Sequence, residues 1–275
     1  MPIVSTDWLA SHLGDPHLRV LDASWYLPTS GRDAHGEYRQ AHIPGAIFFD
    51  LDAASAQDTP LPHMLPTAEQ FADFVSALGV GDGDQVVVYD GSGVNLSAAR
   101  VWWMFRYFGH DRLAVLDGGS KAWRDEGREM EDGTASLPPA TFTARPRPEM
   151  VRDLVAMRAH VAARDVQVVD MRSAGRFAGK DPEPRPGLQQ GHIPGSANLP
   201  FNQLVGPDGR VLDEPSLRAL LTASGVALDR PIVASCGSGT SACALLLNLE
   251  RIGISDTALY DGSWSEWGQG EQVER

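Results

Sequence analysis

Short, almost uniformly apolar stretches alternate along the chain with longer ones in which apolar residues return at helical spacing. Residues 18–21, 47–49, 85–89 and 113–116 have strand length, whereas 68–78 and 97–108 carry the helical period. The second half repeats the alternation, with 166–169, 232–234 and 258–260 reading as strands and 241–252 as a helix. Strands that are apolar throughout need cover on both faces, and strands separated by helices are joined by crossovers that run them parallel. The pattern predicts an α/β fold of parallel sheets flanked by helices.

The halves also share words. Ala41-His42-Ile43-Pro44-Gly45-Ala46 returns as Gly191-His192-Ile193-Pro194-Gly195-Ser196, 150 positions later. Arg19-Val20-Leu21-Asp22 matches Gln167-Val168-Val169-Asp170 at a shift of 148, and Gly91-Ser92-Gly93 matches Gly237-Ser238-Gly239 at 146. Leu116-Asp117-Gly118-Gly119 and Trp123 match Tyr260-Asp261-Gly262-Ser263 and Trp267 at 144. Four anchors in one order, with a slowly drifting shift, describe a duplicated domain. Between the copies, the polar stretch 131–148 with Pro138, Pro139, Pro146 and Pro148 reads as an extended connection. Domains are therefore expected at 1–130 and 149–275, joined by a linker at 131–148, which suits a chain of 275 residues, about twice the common domain size.

Composition narrows the function. With 43% hydrophobic and 21% charged residues the chain has the material for packed cores, which excludes disorder as its main state. A net charge of -13 argues against nucleic acid and anionic membrane as partners. No stretch approaches a membrane span, and the opening residues lack a basic-then-apolar leader, so a cytosolic protein is expected. The two cysteines, Cys236 and Cys243, form neither a disulfide framework nor a Cys-x-x-Cys motif.

Cys236 stands where chemistry is expected in a parallel sheet, at the carboxyl end of a strand that hands over to a helix. The turn Gly237-Ser238-Gly239-Thr240-Ser241 follows it directly. Glycines at the first and third loop positions allow the backbone to curl into a nest of amides backed by the helix dipole, an environment that favours a thiolate nucleophile. Cys243, two turns along the helix, reads as a buried space-filler. In the first copy Asp90 falls opposite Cys236, so the first domain is expected to support and the second to react. His42 and His192 occupy equivalent turns without ligand-spaced companions, and neither metal nor organic cofactor is expected. Trp102, Trp103, Phe105, Tyr107 and Phe108 read as packing on a helix.

Together, the tandem HIPGA and HIPGS, VVVYDGSG, RVWWMFRYFGH, VLDGG, CGSGTS and YDGSWSEW resemble the two-domain rhodanese-type sulfurtransferases over nearly the whole chain. The CGSG loop is similar to that of 3-mercaptopyruvate sulfurtransferases, whereas thiosulfate sulfurtransferases typically carry Cys-Arg-Lys-Gly. The resemblance implies that Cys236 takes sulfur from a small donor as a persulfide and passes it to a thiol, cyanide or a thioredoxin-like acceptor. Gly-Arg176-Phe-Ala-Gly and Pro-Glu-Pro-Arg185-Pro-Gly resemble the mercaptopyruvate family's substrate-binding stretch, which makes Arg176 and Arg185 the candidates for a carboxylate. Gly237, Gly239, Thr240 and Ser241 would line the donor. Phe49-Asp50-Leu51-Asp52 and His63-Met64-Leu65-Pro66 resemble the family's FDID and HMLP, implying that Asp52 and His63, with Ser238, assist proton movement. The loop departs from the resemblance at Thr240-Ser241, where Val-Thr is expected, and this bears on donor preference.

Thiosulfate is a dianion and benefits from positive charge beside the cysteine, which the loop itself lacks. A thiosulfate donor stays open as the alternative, as does a non-catalytic module that binds partners or senses persulfides. A phosphatase of the Cys-x5-Arg kind is disfavoured, because Ala242 stands at the arginine position.

Overall fold

Runs such as Val86-Val87-Val88, fully buried, require a sheet covered on both faces, and the computed structural model, which describes residues 1–275, contains two such sheets. The chain forms two units. Unit 1 comprises Met1–Gln57, Leu65–Arg147 and Val205–Val211, and unit 2 comprises Asp58–Met64, Pro148–Leu204 and Leu212–Arg275. Each unit thus includes a short segment from the opposite half of the sequence, which the internal repeat alone does not reveal.

In unit 1 the order is β1 (Ile3–Val4), α1 (Thr6–His12), β2 (Leu18–Asp22), α2 (Ala34–Gln40), β3 (Ile47–Phe48), α3 (Ala68–Ala77), β4 (Gln85–Tyr89), α4 (Leu96–Tyr107), β5 (Leu113–Leu116) and α5 (Gly119–Asp125). Unit 2 repeats it with β6 (Val151–Arg152), α6 (Leu154–Ala163), β7 (Gln167–Asp170), α7 (Ala174–Phe177), β8 (Ala197–Asn198), α8 (Glu214–Ala223), β9 (Ile232–Ser235), α9 (Ala242–Arg251), β10 (Thr257–Tyr260) and α10 (Ser263–Trp267). The sheets are parallel, in the orders β1-β5-β4-β2-β3 and β6-β10-β9-β7-β8. β4 and β9 are therefore the central strands, and Asp90 and Cys236 follow them directly.

The repeated histidine turns are structural. His42 and Glu131 exchange backbone hydrogen bonds of 2.8 Å, and His192 and Glu274 do the same at 2.8 and 3.0 Å. Each glutamate side chain also accepts from the turn glycine, Glu131 from Gly45 and Glu274 from Gly195. The proline-rich 131–147 runs along unit 1, with Ala140 donating to the Ser76 carbonyl, Arg145 to that of Phe108, and Phe142 set edge-on against Phe71. Trp102, Trp103, Phe105 and Phe108 are buried in the same unit, with Phe71 stacked on Phe108 at 4.2 Å.

The loop after β4 shows what the first copy has become. Asp90 is fully buried, and its carboxylate accepts from the amides of Ser92 (2.8 Å) and Ala98 (2.9 Å) and from the hydroxyls of Ser92 and Ser97. The loop's amides thus have an anion of their own. Substituting Asp90→Ala should destabilise unit 1 by about 2–4 kcal/mol, since the buried amide of Ala98 and the half-buried amide of Ser92 lose their acceptor. Asp90→Asn, which keeps an oxygen there, should cost less; the midpoints of urea unfolding followed by tryptophan fluorescence measure both.

Candidate functional site

Cys236 follows the last residue of β9, and the register Asp170↔Ser235 sets the end of β7 beside it. Cys236 is 1% exposed. The loop that follows is closed by an unusual residue. Ser263 has φ +49°, in the left-handed region that a serine enters only at a cost of roughly 1–2 kcal/mol, and the equivalent residue of unit 1 is Gly119, at φ +56°. The hydroxyl accounts for the substitution. Ser263 Oγ accepts from the amides of Cys236 (3.2 Å) and Gly239 (3.0 Å) and donates to the Tyr260 carbonyl at 2.8 Å. Two further ties hold the loop from α10: the amides of Trp264 and Ser265 donate to the carbonyls of Cys236 and Gly237. Burial and the neighbouring Glu266 carboxylate push the Tyr260 phenol up, so it stays neutral and donates to Glu266.

The two loop glycines serve different ends. Gly239 has φ +74°, matching Gly93 at +76° in the first copy, and supplies the left-handed bend. Gly237 shows what lies over the loop: a Cβ there would lie 3.3 Å from Arg176 Nη2 and 3.9 Å from both Arg176 Nη1 and Arg185 Nη1. Arg176 and Arg185 therefore converge on the loop beside Cys236. Positive charge absent from the loop itself is supplied by the segment after β7. Over the corresponding Gly91 of unit 1, a Cβ would meet the Tyr26 hydroxyl instead.

Arg176 is held by Glu183, which accepts from its Nη2 at 2.5 Å and its Nε at 3.2 Å. The other oxygen of Glu183 accepts from Arg172 Nη1 at 2.7 Å. Arg172 is itself fully buried, bonded to both oxygens of Asp170 and to the Gly191 carbonyl, with its guanidinium 4.0 Å from the Trp264 ring centroid. Buried charges survive when paired and fully hydrogen-bonded, and Asp170–Arg172–Glu183–Arg176 alternates in sign throughout. In unit 1 the position of Arg172 is Ser24, which donates to Asp22, and burial pushes that carboxyl up.

His63 reaches the loop because Asp58–Met64 belongs to unit 2. At φ +60° and nearly buried, its Nδ1 lies 3.1 Å from Ser238 Oγ and 3.1 Å from Thr240 Oγ1. Asp52 belongs to unit 1, where it accepts from Trp25 Nε1 at 2.9 Å. Ser241 is the N-cap residue of α9 and makes no side-chain cap bond. Cys243 is buried and its thiol donates to the Gly239 carbonyl at 3.2 Å. Thus Cys236, Gly237, Ser238, Gly239, Thr240, His63, Arg176 and Arg185 come together, and Ser263, Arg172 and Glu183 join them although sequence reasoning passed them over. The signal for Ser263 was the replacement of the last glycine of Leu-Asp-Gly-Gly by the serine of Tyr-Asp-Gly-Ser. Replacing Ser263→Ala should destabilise unit 2 by about 1–3 kcal/mol, because the buried amides of Cys236 and Gly239 lose their acceptor. Chemical denaturation of that variant against the parent chain measures it, and Ser263→Gly, which relieves the backbone, should fall between the two.

No helix is long and apolar enough to cross a membrane. The rhodanese-like domain family matches residues 5–126 and again 154–269. The chain is 44% identical to the 3-mercaptopyruvate sulfurtransferase of Rattus norvegicus over 99% of its own length and 93% of the relative's. It is also 44% identical to the mitochondrial thiosulfate/3-mercaptopyruvate sulfurtransferase 1 of Arabidopsis thaliana, over 97% of this chain and 76% of that one. The crystal structure of an Escherichia coli 3-mercaptopyruvate sulfotransferase superposes with a TM-score of 0.88 at 39% identity, covering 97% of this chain and all of that one. With the two matched domains, the two parallel sheets and near full-length identity to these relatives, the chain belongs to the rhodanese family.

Proposed function

We propose that the chain is a 3-mercaptopyruvate sulfurtransferase whose reaction is carried by residues 149–275, with the first domain in support. The observation that carries this reading is the convergence of two arginines over Gly237, next to Cys236. A donor with a carboxylate two carbons from its thiol suits that layout: its charge rests on Arg176 and Arg185 while its sulfur meets Cys236. Arginine presents donors in a planar fork, which favours a carboxylate over a point anion.

The reaction balances as follows. The Cys236 thiolate attacks the thiol sulfur of the donor, and the carbon–sulfur bond breaks. Its electron pair passes to the departing fragment as the enolate of pyruvate, leaving Cys236 as a persulfide. One proton delivered to the enolate carbon gives pyruvate, and Ser238 and His63 are the groups we assign to moving it. A second thiolate, cyanide or a thioredoxin-like dithiol then attacks the outer sulfur and restores the Cys236 thiolate. Gly239, Thr240 and Ser241 shape the loop around the transferred sulfur.

One observation favours a second reading. The arginines put positive charge beside the loop after all, so thiosulfate, a dianion that leaves as sulfite, has a counter-charge available. Glu183 offsets part of it at Arg176, which weighs toward the singly charged carboxylate. Measuring kcat/KM for 3-mercaptopyruvate and for thiosulfate with one common thiol acceptor, following pyruvate and sulfite, separates the readings. Mercaptopyruvate is expected to win by about tenfold or more, equivalent to about 1.4 kcal/mol of transition-state discrimination; a preference for thiosulfate would assign the arginines to the dianion. Cys236→Ser should abolish turnover with either donor while the fold persists, and measurable sulfur transfer by it would remove Cys236 from the mechanism.

The arginine assignment has its own check. Arg185→Ala should raise KM for mercaptopyruvate by an amount equivalent to about 1.5–3 kcal/mol, the worth of a charge-assisted contact. An unchanged KM in steady-state assays would put the carboxylate elsewhere.

A further inference from the structure

Arg176 has one anionic partner, Glu183, and the way it is held decides what remains for a ligand. Glu183 Oε2 takes the side edge of the guanidinium, accepting from Nε at 3.2 Å and from Nη2 at 2.5 Å. The opposite corner, Nη1, makes no hydrogen bond, so its two N–H groups remain for an anion at the loop. Unit 1 shows the alternative. There Glu37 holds Arg32 through the same two nitrogens, Nε and Nη2, but Arg32 Nη1 donates to the carbonyl of Gly91, the counterpart of Gly237. In unit 2 that carbonyl is already occupied, since it accepts from the Ser265 amide at 2.9 Å and from the Ser265 hydroxyl at 2.6 Å. The guanidinium corner used by the protein in one copy is thus left over in the other.

The two glutamates also differ in how strongly their charge is felt. The Glu37 side chain is 39% exposed and screened by water, whereas that of Glu183 is 3% exposed and holds a second guanidinium, that of buried Arg172, on its other oxygen. Pro182 and Pro184 bracket Glu183, and a residue before proline is kept out of the helical region, so the carboxylate stands on a stiff stem. A fixed, poorly screened negative charge across the guanidinium weakens the attraction for any anion at Nη1 in proportion to that anion's charge. A dianion is opposed twice as strongly as a monoanion.

We propose that Glu183 selects the donor by charge, leaving Arg176 attractive to a singly charged carboxylate and opposing a dianion such as thiosulfate. This rests on the sulfurtransfer reading above and names the residue behind its donor preference. Glu183→Gln removes the charge, while Arg172 keeps both oxygens of Asp170 and the Gly191 carbonyl, so the fold persists. The ratio of kcat/KM for 3-mercaptopyruvate to that for thiosulfate should then fall by about tenfold, because a dianion gains more than a monoanion when a neighbouring negative charge is removed. Glu183→Asp keeps the charge and should keep the ratio. The same discrimination is measurable without turnover, by calorimetric titration of the full chain at constant ionic strength. In Glu183→Gln the Kd for sulfate should fall about ten times further than the Kd for pyruvate. A glutamate that merely held its segment in place would change both donors, and both anions, by one common factor, and that outcome would overturn the proposal. If mercaptopyruvate is no substrate of the parent chain, the functional reading fails by itself, and the two titrations still decide the role of Glu183.

Discussion

A tight loop of consecutive amides at the end of a buried central strand must be given acceptors, and both halves of this protein are organised around that demand. In unit 1 the first loop residue supplies its own, since the Asp90 carboxylate bonds the amides of Ser92 and Ala98. The loop is thereby closed to any other anion. In unit 2 the first residue is Cys236, whose sulfur must be left for chemistry, so the support comes from outside the loop. Ser263 provides it, binding the amides of Cys236 and Gly239 from a left-handed backbone that unit 1 fills with glycine. The strain at Ser263 is of the order of one good hydrogen bond, and its hydroxyl makes three, so the arrangement is favourable on balance.

A second consequence concerns charge. An arginine cannot be brought to a buried loop without a partner, and a partner that neutralised it completely would leave nothing for a substrate. The chain Asp170–Arg172–Glu183–Arg176 resolves this by burying the first three members against one another and presenting only the last. The Arg176 side chain is 22% exposed, against 0–3% for Arg172, Asp170 and Glu183. The stacking of Arg172 on Trp264 ties this chain to α10, the helix that also carries Ser263. The cysteine loop and Arg176 are therefore placed by the same few residues, and a change in α10 acts on both.

Much of this was legible in the sequence, for identifiable reasons. Parallel strands buried on both faces are apolar throughout, so 85–89 and 232–234 stood out, and duplication left matched words that aligned Asp90 with Cys236. The edge strands of two residues, β1, β3, β6 and β8, carry too short a pattern for β1, β6 and β8 to register at all. Two-residue strands are held by their neighbours rather than by their own periodicity. That Arg176 and Arg185 lie over Gly237 was not legible, because they approach from sixty and fifty-odd positions away. Arg172 and Glu183 were passed over because a buried ion pair between loops has no spacing rule. Nor does any local pattern announce that Asp58–Met64 belongs with the second half of the chain.

Comparison of the copies shows a coordinated set of exchanges. Asp90 against Cys236, Gly119 against Ser263, and Ser24 against Arg172 are three matched positions: Asp90 serves the amides of its own loop, whereas the Cys236 loop takes its acceptor from Ser263, and Arg172 bonds Asp170 where Ser24 bonds Asp22. A cysteine placed alone at Asp90 would inherit amides without the outside acceptor that Ser263 provides, and the Tyr26 hydroxyl would stand over Gly91 where the other unit has guanidiniums. The nucleophile is thus one member of a set whose parts are physically coupled through shared hydrogen bonds. In unit 1 the buried Asp90 completes locally what the loop of unit 2 draws from Ser263.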